Sequence, residues 1–158
     1  MTPNSADTYQ SAQPEYFDTP EVVQPFTMWV VGTPIPQGSK KAFVRGKRAV
    51  IVDDNATVLK PWRKKVTMLA VSEFGDREQF TSPMFAQLDF YMPRPASVKR
   101  PRPSVKPDAD KLTRAILDAF TDAKVWRDDA QVVSMTVNEW YADDDPAGVR
   151  IHIGAVTW

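Results

Sequence analysis

Apolar residues recur along the chain with two different periods, and these periods predict a series of strands and helices. Short runs of β-branched and aromatic residues bounded by proline, glycine or acidic residues are typical of strands. Apolar residues three and four positions apart are typical of a helix with one core-facing side. The predicted strands are Phe26–Thr33, the two halves of a hairpin in Ala42–Val52, Met84–Met92, Gln131–Trp140 and Gly148–Val156. The predicted helices are Leu59–Phe74 and Asp110–Phe120.

The second predicted helix has the clearer pattern, because Leu112, Ala115, Ile116 and Ala119 form one apolar stripe along it. In the first predicted helix Pro61 is tolerated, since it falls in the first turn. The order of elements predicts an α+β fold: a single domain with one mixed β-sheet and two main helices.

Composition narrows the class of protein. The chain has 158 residues and no cysteine, which excludes disulfide scaffolds, thiolate metal sites and cysteine nucleophiles. It has no apolar run of about 18 residues, and its N-terminus lacks signal-peptide features, so we expect no membrane segment and a cytoplasmic protein. Residues 1–23 are rich in Pro, Ser, Thr, Asp and Gln and predict a disordered acidic tail before a folded domain at residues 24–158.

The formal net charge is zero, but the charge is unevenly distributed. Residues 24–106 carry 15 basic and 6 acidic residues, whereas residues 107–158 carry 5 basic and 10 acidic ones. The middle of the chain suits phosphate groups and the last third suits a divalent metal, although both fit a solvated surface equally well. Pro93–Pro107 contains five prolines and five basic residues, which predicts an extended, mobile, positively charged loop.

Four aspartates around the second predicted helix carry the candidate chemistry. Asp108 and Asp110 precede the helix, and Asp128 and Asp129 follow it. If the helix starts at Asp110, the first two side chains can point the same way, with Asp110 as the N-cap. Converging carboxylates repel one another unless a cation lies between them, and Mg²⁺ prefers such hard oxygen ligands. Helix capping and an ordinary acidic turn are the structural alternatives, and the spacing alone does not separate them from a metal site.

The segments KPDADKLTRAILDAF (Lys106–Phe120) and VWRDDAQVV (Val125–Val133) resemble the RusA family of Holliday-junction resolvases. Their shared pattern is D-x-D, a helix, and then D-D-x-Q-V on a strand, and the resemblance covers roughly residues 26–156. It implies a Mg²⁺-dependent endonuclease, with Mn²⁺ as a substitute, that cuts four-way or branched DNA as a homodimer. It also suggests a role in DNA recombination and repair, and a phage or prophage origin.

The resemblance assigns roles to particular residues. Asp108, Asp110 and Asp129 match the metal-binding carboxylates, and Asp128 matches the neighbouring aspartate, which is a further candidate ligand. Arg114 stands where some members have a lysine. Arginine keeps the charge and binds phosphate but cannot donate a proton near neutral pH, so transition-state stabilisation is retained and a general-acid role is in doubt.

Two neighbours on the same helix are weaker candidates for chemistry. Lys111 is adjacent to Asp110 but points about 100° away from it around the helix. Asp118 lies on the Asp110–Arg114 side, so a structural Arg114–Asp118 ion pair is the favoured interpretation for it. Trp62 and Trp126 are predicted to be core residues rather than base-stacking ones.

A set of basic residues is predicted to contact the DNA backbone, where such contacts give position and salt dependence but no sequence preference. They are Lys40, Lys41, Arg45, Lys47, Arg102, Lys106 and Lys111. Two other functions remain open: a non-catalytic protein of the same fold that binds branched DNA, and a hydrolase of small phosphoesters. The first is supported by Arg114 standing where a lysine is expected. The second lacks a glycine-rich phosphate loop.

Overall fold

Six strands, two α-helices and one short 3-10 helix (Asp129–Gln131) account for the regular structure of residues 21–38, 40–53 and 55–157, which this computed structural model describes. For residues 40–45, 49 and 51–53 the backbone alone is described. In chain order the elements are β1 (Glu21–Val31), β2 (Lys40–Arg45), β3 (Arg48–Asp53), α1 (Ala56–Phe74), β4 (Met84–Met92), α2 (Ala109–Asp122), β5 (Val132–Tyr141) and β6 (Gly148–Thr157). Every predicted element is present, and the α+β class is confirmed.

Four strands form a mixed sheet in the order β1-β6-β4-β5. β6 pairs antiparallel with β1 and β4, whereas β4 and β5 are parallel. Antiparallel strands can be joined by a tight turn, but a parallel pair needs a long crossover, and α2 lies in the crossover between β4 and β5. β5 is last in the strand order, so it is an edge strand, and it lies beside α2.

The hairpin does not join this sheet, so the expectation of one sheet is wrong in this detail. β2 pairs with β3 in a separate two-stranded sheet. Gly46 adopts a left-handed φ of 66° between the two strands, a conformation that glycine accepts without steric cost. The turn at Arg45-Gly46-Lys47 is therefore where the sequence predicts it.

The core lies between one face of the four-stranded sheet and the two helices. The predicted stripe of α2 is fully buried, with Leu112, Ala115, Ile116 and Ala119 at most 1% exposed. Trp62 and Trp126 are core residues, as predicted, since both belong to the same buried cluster. The stripe fixes which side of α2 faces the sheet, and hence which side faces solvent.

Several element boundaries differ from the predictions, and three of these differences bear on the fold or the site. β1 begins at Glu21, so Glu21–Val23 belong to a strand paired with β6 rather than to the predicted tail, whose residues 1–20 lie outside the described residues. α1 begins at Ala56 because the main-chain carbonyl of Asn55 already accepts helical hydrogen bonds, which places Pro61 in the second turn instead of the first. The start of α2 also differs, and this shift affects the candidate site directly.

Candidate active site

The start of α2 places the first two predicted site residues. Asp108 is the N-cap residue, with extended backbone angles of φ −76° and ψ 137°, and its carbonyl accepts hydrogen bonds from the N–H groups of Lys111 and Leu112 at 3.1 Å. The prediction that Asp110 caps the helix is therefore wrong, because the helix begins at Ala109 and Asp110 lies in its first turn. Neither position uses a side-chain cap: the Asp108 carboxylate makes no capping hydrogen bond.

The side chains of these two aspartates line different grooves. Asp110 lines a groove between α2 and β5, the Asp110 groove, whose walls include Arg114, Asp129 and the apolar residues Met135 and Val137. Asp108 lines a second groove, the Asp108 groove, together with Lys106, Lys111 and parts of the 33–38 loop. The Oδ2 atom of Asp108 lies 3.6 Å from the Nζ atom of Lys111. The one-residue shift of the helix start thus separates two carboxylates that were expected to point the same way.

Asp129 reaches the Asp110 groove through a sharp reversal after α2. Lys124 adopts a left-handed φ of 61°, and the Val125 N–H donates to the carbonyl of Phe120 at 3.1 Å. Trp126 is then buried, and its indole N–H donates to the Thr121 hydroxyl at 2.8 Å. The buried indole fixes the path of the chain that leads to Asp129.

Asp128 and Gln131 stabilise the turn that carries Asp129. The Oδ1 atom of Asp128 accepts from the Ala130 N–H at 2.8 Å, and the Gln131 side chain accepts from the Asp128 N–H at 3.1 Å, which is a capping box. The Gln131 amide also donates to the carbonyls of Phe80 and Ser82, both at 3.0 Å. Asp128 thus caps the turn, and the Gln of the D-D-x-Q pattern ties that turn to the chain before β4.

The electrostatic surroundings of Asp129 identify its neighbours. Burial raises the pKa of the Asp129 carboxyl, the neighbouring Asp128 and Asp118 raise it further, and Arg114 opposes them. Asp118 does not form the predicted ion pair with Arg114. It lies 3.6 Å from Arg63 of α1, which also binds Asp122 at 2.6 Å. The guanidinium of Arg114 is therefore left exposed beside Asp129, where it can meet a phosphate.

Glu139 is a residue that the sequence reasoning missed. Burial raises the pKa of its carboxyl, and the negative charge of Asp108 raises it further. Its Oε2 atom is shielded from solvent and has no hydrogen-bond partner among the described residues. The sequence could have indicated Glu139 through the alternation of side chains along β5, which puts it on the same side of the strand as Met135 and Val137.

The acidic side chains therefore fall into two groups within one chain. The charge of Asp108 acts on the Glu139 carboxyl, whereas the charges of Asp128 and Asp118 act on the Asp129 carboxyl. Asp110 and Asp129 share one groove. In the part of the chain that the structure describes, no three acidic or histidine side chains are arranged to hold a metal ion as they stand.

The donor chemistry of these groups nevertheless fits a hard divalent cation. Every candidate ligand is a carboxylate, which is the side chain that Mg²⁺ prefers, and Mg²⁺ needs only one or two of them because it retains several waters. The Oε2 atom of Glu139 is shielded from solvent and accepts no hydrogen bond from the described residues, so a cation could bind it without displacing a donor. The Asp108–Lys111 pair is long and partly exposed, and such pairs contribute about 0–1 kcal/mol, so it is readily exchanged.

The proline-rich basic loop is anchored to the end of β5, contrary to the prediction of an extended, mobile segment. Arg94 binds both carboxylate oxygens of Asp143 at 2.5 and 2.9 Å, and its Nη1 atom donates to the Arg100 carbonyl at 2.7 Å. Its guanidinium carbon lies 4.1 Å from the centre of the Tyr141 ring. The hydrogen bond and charge of Arg94 lower the pKa of Asp143, and burial opposes them. The prediction considered only the charges of the arginines in this loop. An arginine has five N–H donors, and Arg94 uses them to fix the loop that carries it.

The predicted DNA-contacting residues are distributed around this loop. Lys106 and Lys111 line the Asp108 groove, and Lys47 is exposed at the hairpin turn. Arg102 donates to the main-chain carbonyl of Glu139 at 2.7 Å and stacks on Trp140, so it is held in place rather than free. The side chains of Lys40, Lys41 and Arg45 lie outside the described part of the structure.

The carboxylates, the exposed Arg114 and the anchored basic loop are thus carried by a mixed sheet with two helices. Residues 32–154 match the family described as endodeoxyribonuclease RusA. The chain belongs to this family. It is also similar to the uncharacterized protein YqaN of Bacillus subtilis (strain 168), with 25% identity over 134 residues that cover 77% of this chain and 92% of YqaN. Neither described helix has the length and apolar character needed to cross a membrane.

Proposed function

We propose that this protein is a Mg²⁺-dependent endonuclease that resolves four-way DNA junctions by paired, symmetric hydrolysis of phosphodiesters. The observation that carries the proposal is the Asp110 groove, where two carboxylates and an exposed arginine line one surface in a member of the RusA family. We further propose that the protein acts in DNA recombination and repair.

The carboxylates Asp108, Asp110 and Asp129 would hold the metal, and Asp128 would support the turn that presents Asp129. Bound there, Mg²⁺ would polarise the scissile phosphate and lower the pKa of an attacking water. Mn²⁺ has similar ligand preferences and is expected to substitute. Asp110 is exposed, which suits contact with a large substrate.

Arg114 has a separate task in this proposal. Its guanidinium stays charged at any physiological pH and lies close enough to Asp129 to lower the pKa of that carboxyl. It would bind the oxygens of the phosphate and stabilise the negative charge that grows on them as water attacks. It cannot deliver a proton to the leaving oxygen, so that proton must come from water.

The basic residues would position the DNA. Lys106 and Lys111 stand beside Asp108, and the anchored Arg102 stands on the adjoining end of β5. Together with Lys47 and the hairpin residues Lys40, Lys41 and Arg45, they would neutralise backbone phosphates on either side of the cut. A homodimer with two-fold symmetry would present two such sites to a junction that is itself nearly two-fold symmetric, which accounts for paired cuts.

The experiment that tests this function compares an immobile four-way junction with a linear duplex of the same sequence, both end-labelled. Wild-type protein is expected to cut the junction alone, in symmetric pairs, in Mg²⁺ and not in chelator. Asp110→Asn should abolish the cuts and retain junction binding. Asp76→Asn makes the same chemical change at an exposed site away from the grooves and should cut like wild type.

A non-catalytic junction-binding protein is the second candidate. It is favoured by the separation of the carboxylates into two groups and by Arg114 standing where some family members have lysine. Tight, junction-selective binding without any cut in Mg²⁺ or Mn²⁺ would establish that function and rule out the nuclease. Binding of junction and duplex with equal affinity would rule out both.

A further inference from the structure

The geometry points to a further metal-binding residue: we propose that Glu139 binds the divalent cation together with Asp108. This inference rests on the proposed function and names a carboxylate outside the D-x-D and D-D segments. Three observations support it: the position of Glu139 in the sheet, the lack of a hydrogen-bond partner for its Oε2 atom among the described residues, and the hydrogen bond from Arg102 to its main-chain carbonyl.

The sheet register places Glu139 on the side of β5 that faces α2. Glu139 pairs with Phe90 of β4, and Phe90 is fully buried under the helices. Side chains on neighbouring strands at paired positions share a face of the sheet, so the Glu139 side chain lies on the helix-covered face. The first turn of α2 begins at the same end of the parallel pair, where Asp108 lies close enough for its charge to act on Glu139.

The Oε2 atom of Glu139 has neither solvent nor a hydrogen-bond donor in the described part of the chain. An ionised carboxylate in that state costs free energy, and the neighbouring negative charge of Asp108 adds to the cost. A lone structural glutamate would be expected to find a donor or to turn toward water. A divalent cation between the two carboxylates satisfies the free oxygen and removes the repulsion in a single step.

The backbone of Glu139 is held independently of its carboxyl group. Its carbonyl accepts from Arg102 at 2.7 Å, and Arg102 is stacked on Trp140. The side chain is therefore presented by a fixed strand end rather than by a free loop, which is the arrangement that keeps a ligand oxygen in place. The same arginine links the basic loop, which would carry DNA, to the strand that carries Glu139.

The test is direct measurement of Mn²⁺ binding to the full chain, from the loss of the free-ion electron paramagnetic resonance signal. Glu139→Gln has the same shape and loses only the charge, and we expect it to weaken Mn²⁺ affinity at least about tenfold. Glu73→Gln, the same change on an exposed position of α1, should bind Mn²⁺ like wild type. The Mg²⁺ concentration for half-maximal junction cleavage should rise in parallel for Glu139→Gln alone.

The outcomes separate the two proposals. Unchanged Mn²⁺ affinity in Glu139→Gln, together with a clear loss in Asp108→Asn, overturns the role of Glu139 and leaves the proposed nuclease intact. A wild-type chain that binds no Mn²⁺ overturns both. If Glu139→Gln does not fold, the test is the NMR signal of the side-chain carboxyl carbons in the wild-type protein, which a bound Mn²⁺ ion broadens. Broadening at Glu139 and not at Glu73 supports the role of Glu139, and a sharp Glu139 signal overturns it.

Discussion

The guanidinium carbon of Arg102 lies 3.3 Å from the centre of the Trp140 ring, so the basic loop is stacked on the end of β5. Stacking of this kind leaves the outer N–H groups of the arginine available to a phosphate. Arg102 therefore combines two tasks, one within the fold and one toward the proposed DNA.

Arg102→Ala should weaken junction binding several-fold and make the salt dependence of binding shallower by about one unit in the log–log slope, because one phosphate contact is lost. Trp140→Ala should weaken binding with the slope unchanged, since it displaces the charge without removing it. Fluorescence anisotropy of a labelled junction at several salt concentrations measures both. Lys60→Ala, on the exposed side of α1, serves as the control, and a slope change in Trp140→Ala would contradict the assignment.

Arg94→Ala should loosen the whole basic loop. It removes the paired hydrogen bonds to Asp143, the bond to the Arg100 carbonyl and the contact with Tyr141. We expect trypsin to cut after Lys99 several-fold faster, because proteolysis follows the population of the opened segment.

The matched control for this loop is Asp144→Ala, which changes the next residue of the same acidic turn. Asp144 is exposed, so its removal should leave the cleavage rate at Lys99 unchanged. Equal rates in Arg94→Ala and wild type would show that the prolines alone hold the loop.

Arg114→Ala should lower the cleavage rate about 10²–10³-fold with little change in junction affinity, since it removes a charge that matters most in the transition state. Arg114→Lys should recover much of the rate, because a lysine also carries positive charge toward Asp129. Single-turnover cleavage at saturating protein measures the chemical step. A rate for Arg114→Ala within about twofold of wild type would remove Arg114 from the mechanism.

In the absence of metal, the contributions of Asp129 and Glu139 to stability should become more favourable as the pH falls from the folded pKa of each carboxyl toward its ordinary value. Burial first, and then neighbouring carboxylates, raise the pKa of Asp129 and of Glu139 above their ordinary values of 3.8 and 4.5. A carboxyl with a higher pKa in the folded state binds more protons there than in the unfolded chain. Its ionised form therefore costs stability above the folded pKa, and this cost disappears as the pH falls to the unfolded value.

Thermal unfolding in chelator checks that sign. Glu139→Gln and Asp129→Asn should each melt above wild type at neutral pH, and the difference should shrink as the pH approaches the ordinary carboxyl range. Asp143→Asn should behave in the opposite way, because Arg94 lowers the pKa of Asp143 and the ionised form is the favoured one. A lower melting temperature for Glu139→Gln at neutral pH would contradict the electrostatic assignment.

The sequence predicted the elements well where a single physical cause decides them. The stripe from Leu112 to Ala119 gives α2 and its buried side, and Gly46 gives the hairpin turn. The sequence did not predict which residue is the N-cap of α2, because Asp108 and Asp110 are equally good caps by residue type. With Asp108 as the N-cap, the two side chains line different grooves.

Long-range partners were the other source of error. Arg63 and Asp118 lie far apart in sequence, so the local pair with Arg114 was the natural expectation for Asp118. The sequence did not indicate Glu139 as a site residue, because a glutamate on an edge strand usually points to solvent. Its significance depends on the register with β4 and on the position of Asp108, which only the folded chain brings together.

The parallel pairing of β4 and β5 has a consequence for where a ligand can bind. Among the described strands these two form the one parallel pair, and α2 with its connections makes the crossover between them. In open α/β sheets, ligands occupy the crevice beyond the carboxyl ends of parallel strands. Asp108 follows that end of β4, and Glu139 lies near that end of β5. A largely antiparallel sheet thus contains one βαβ unit, and two of the candidate metal ligands, Asp108 and Glu139, lie at the carboxyl ends of its strands.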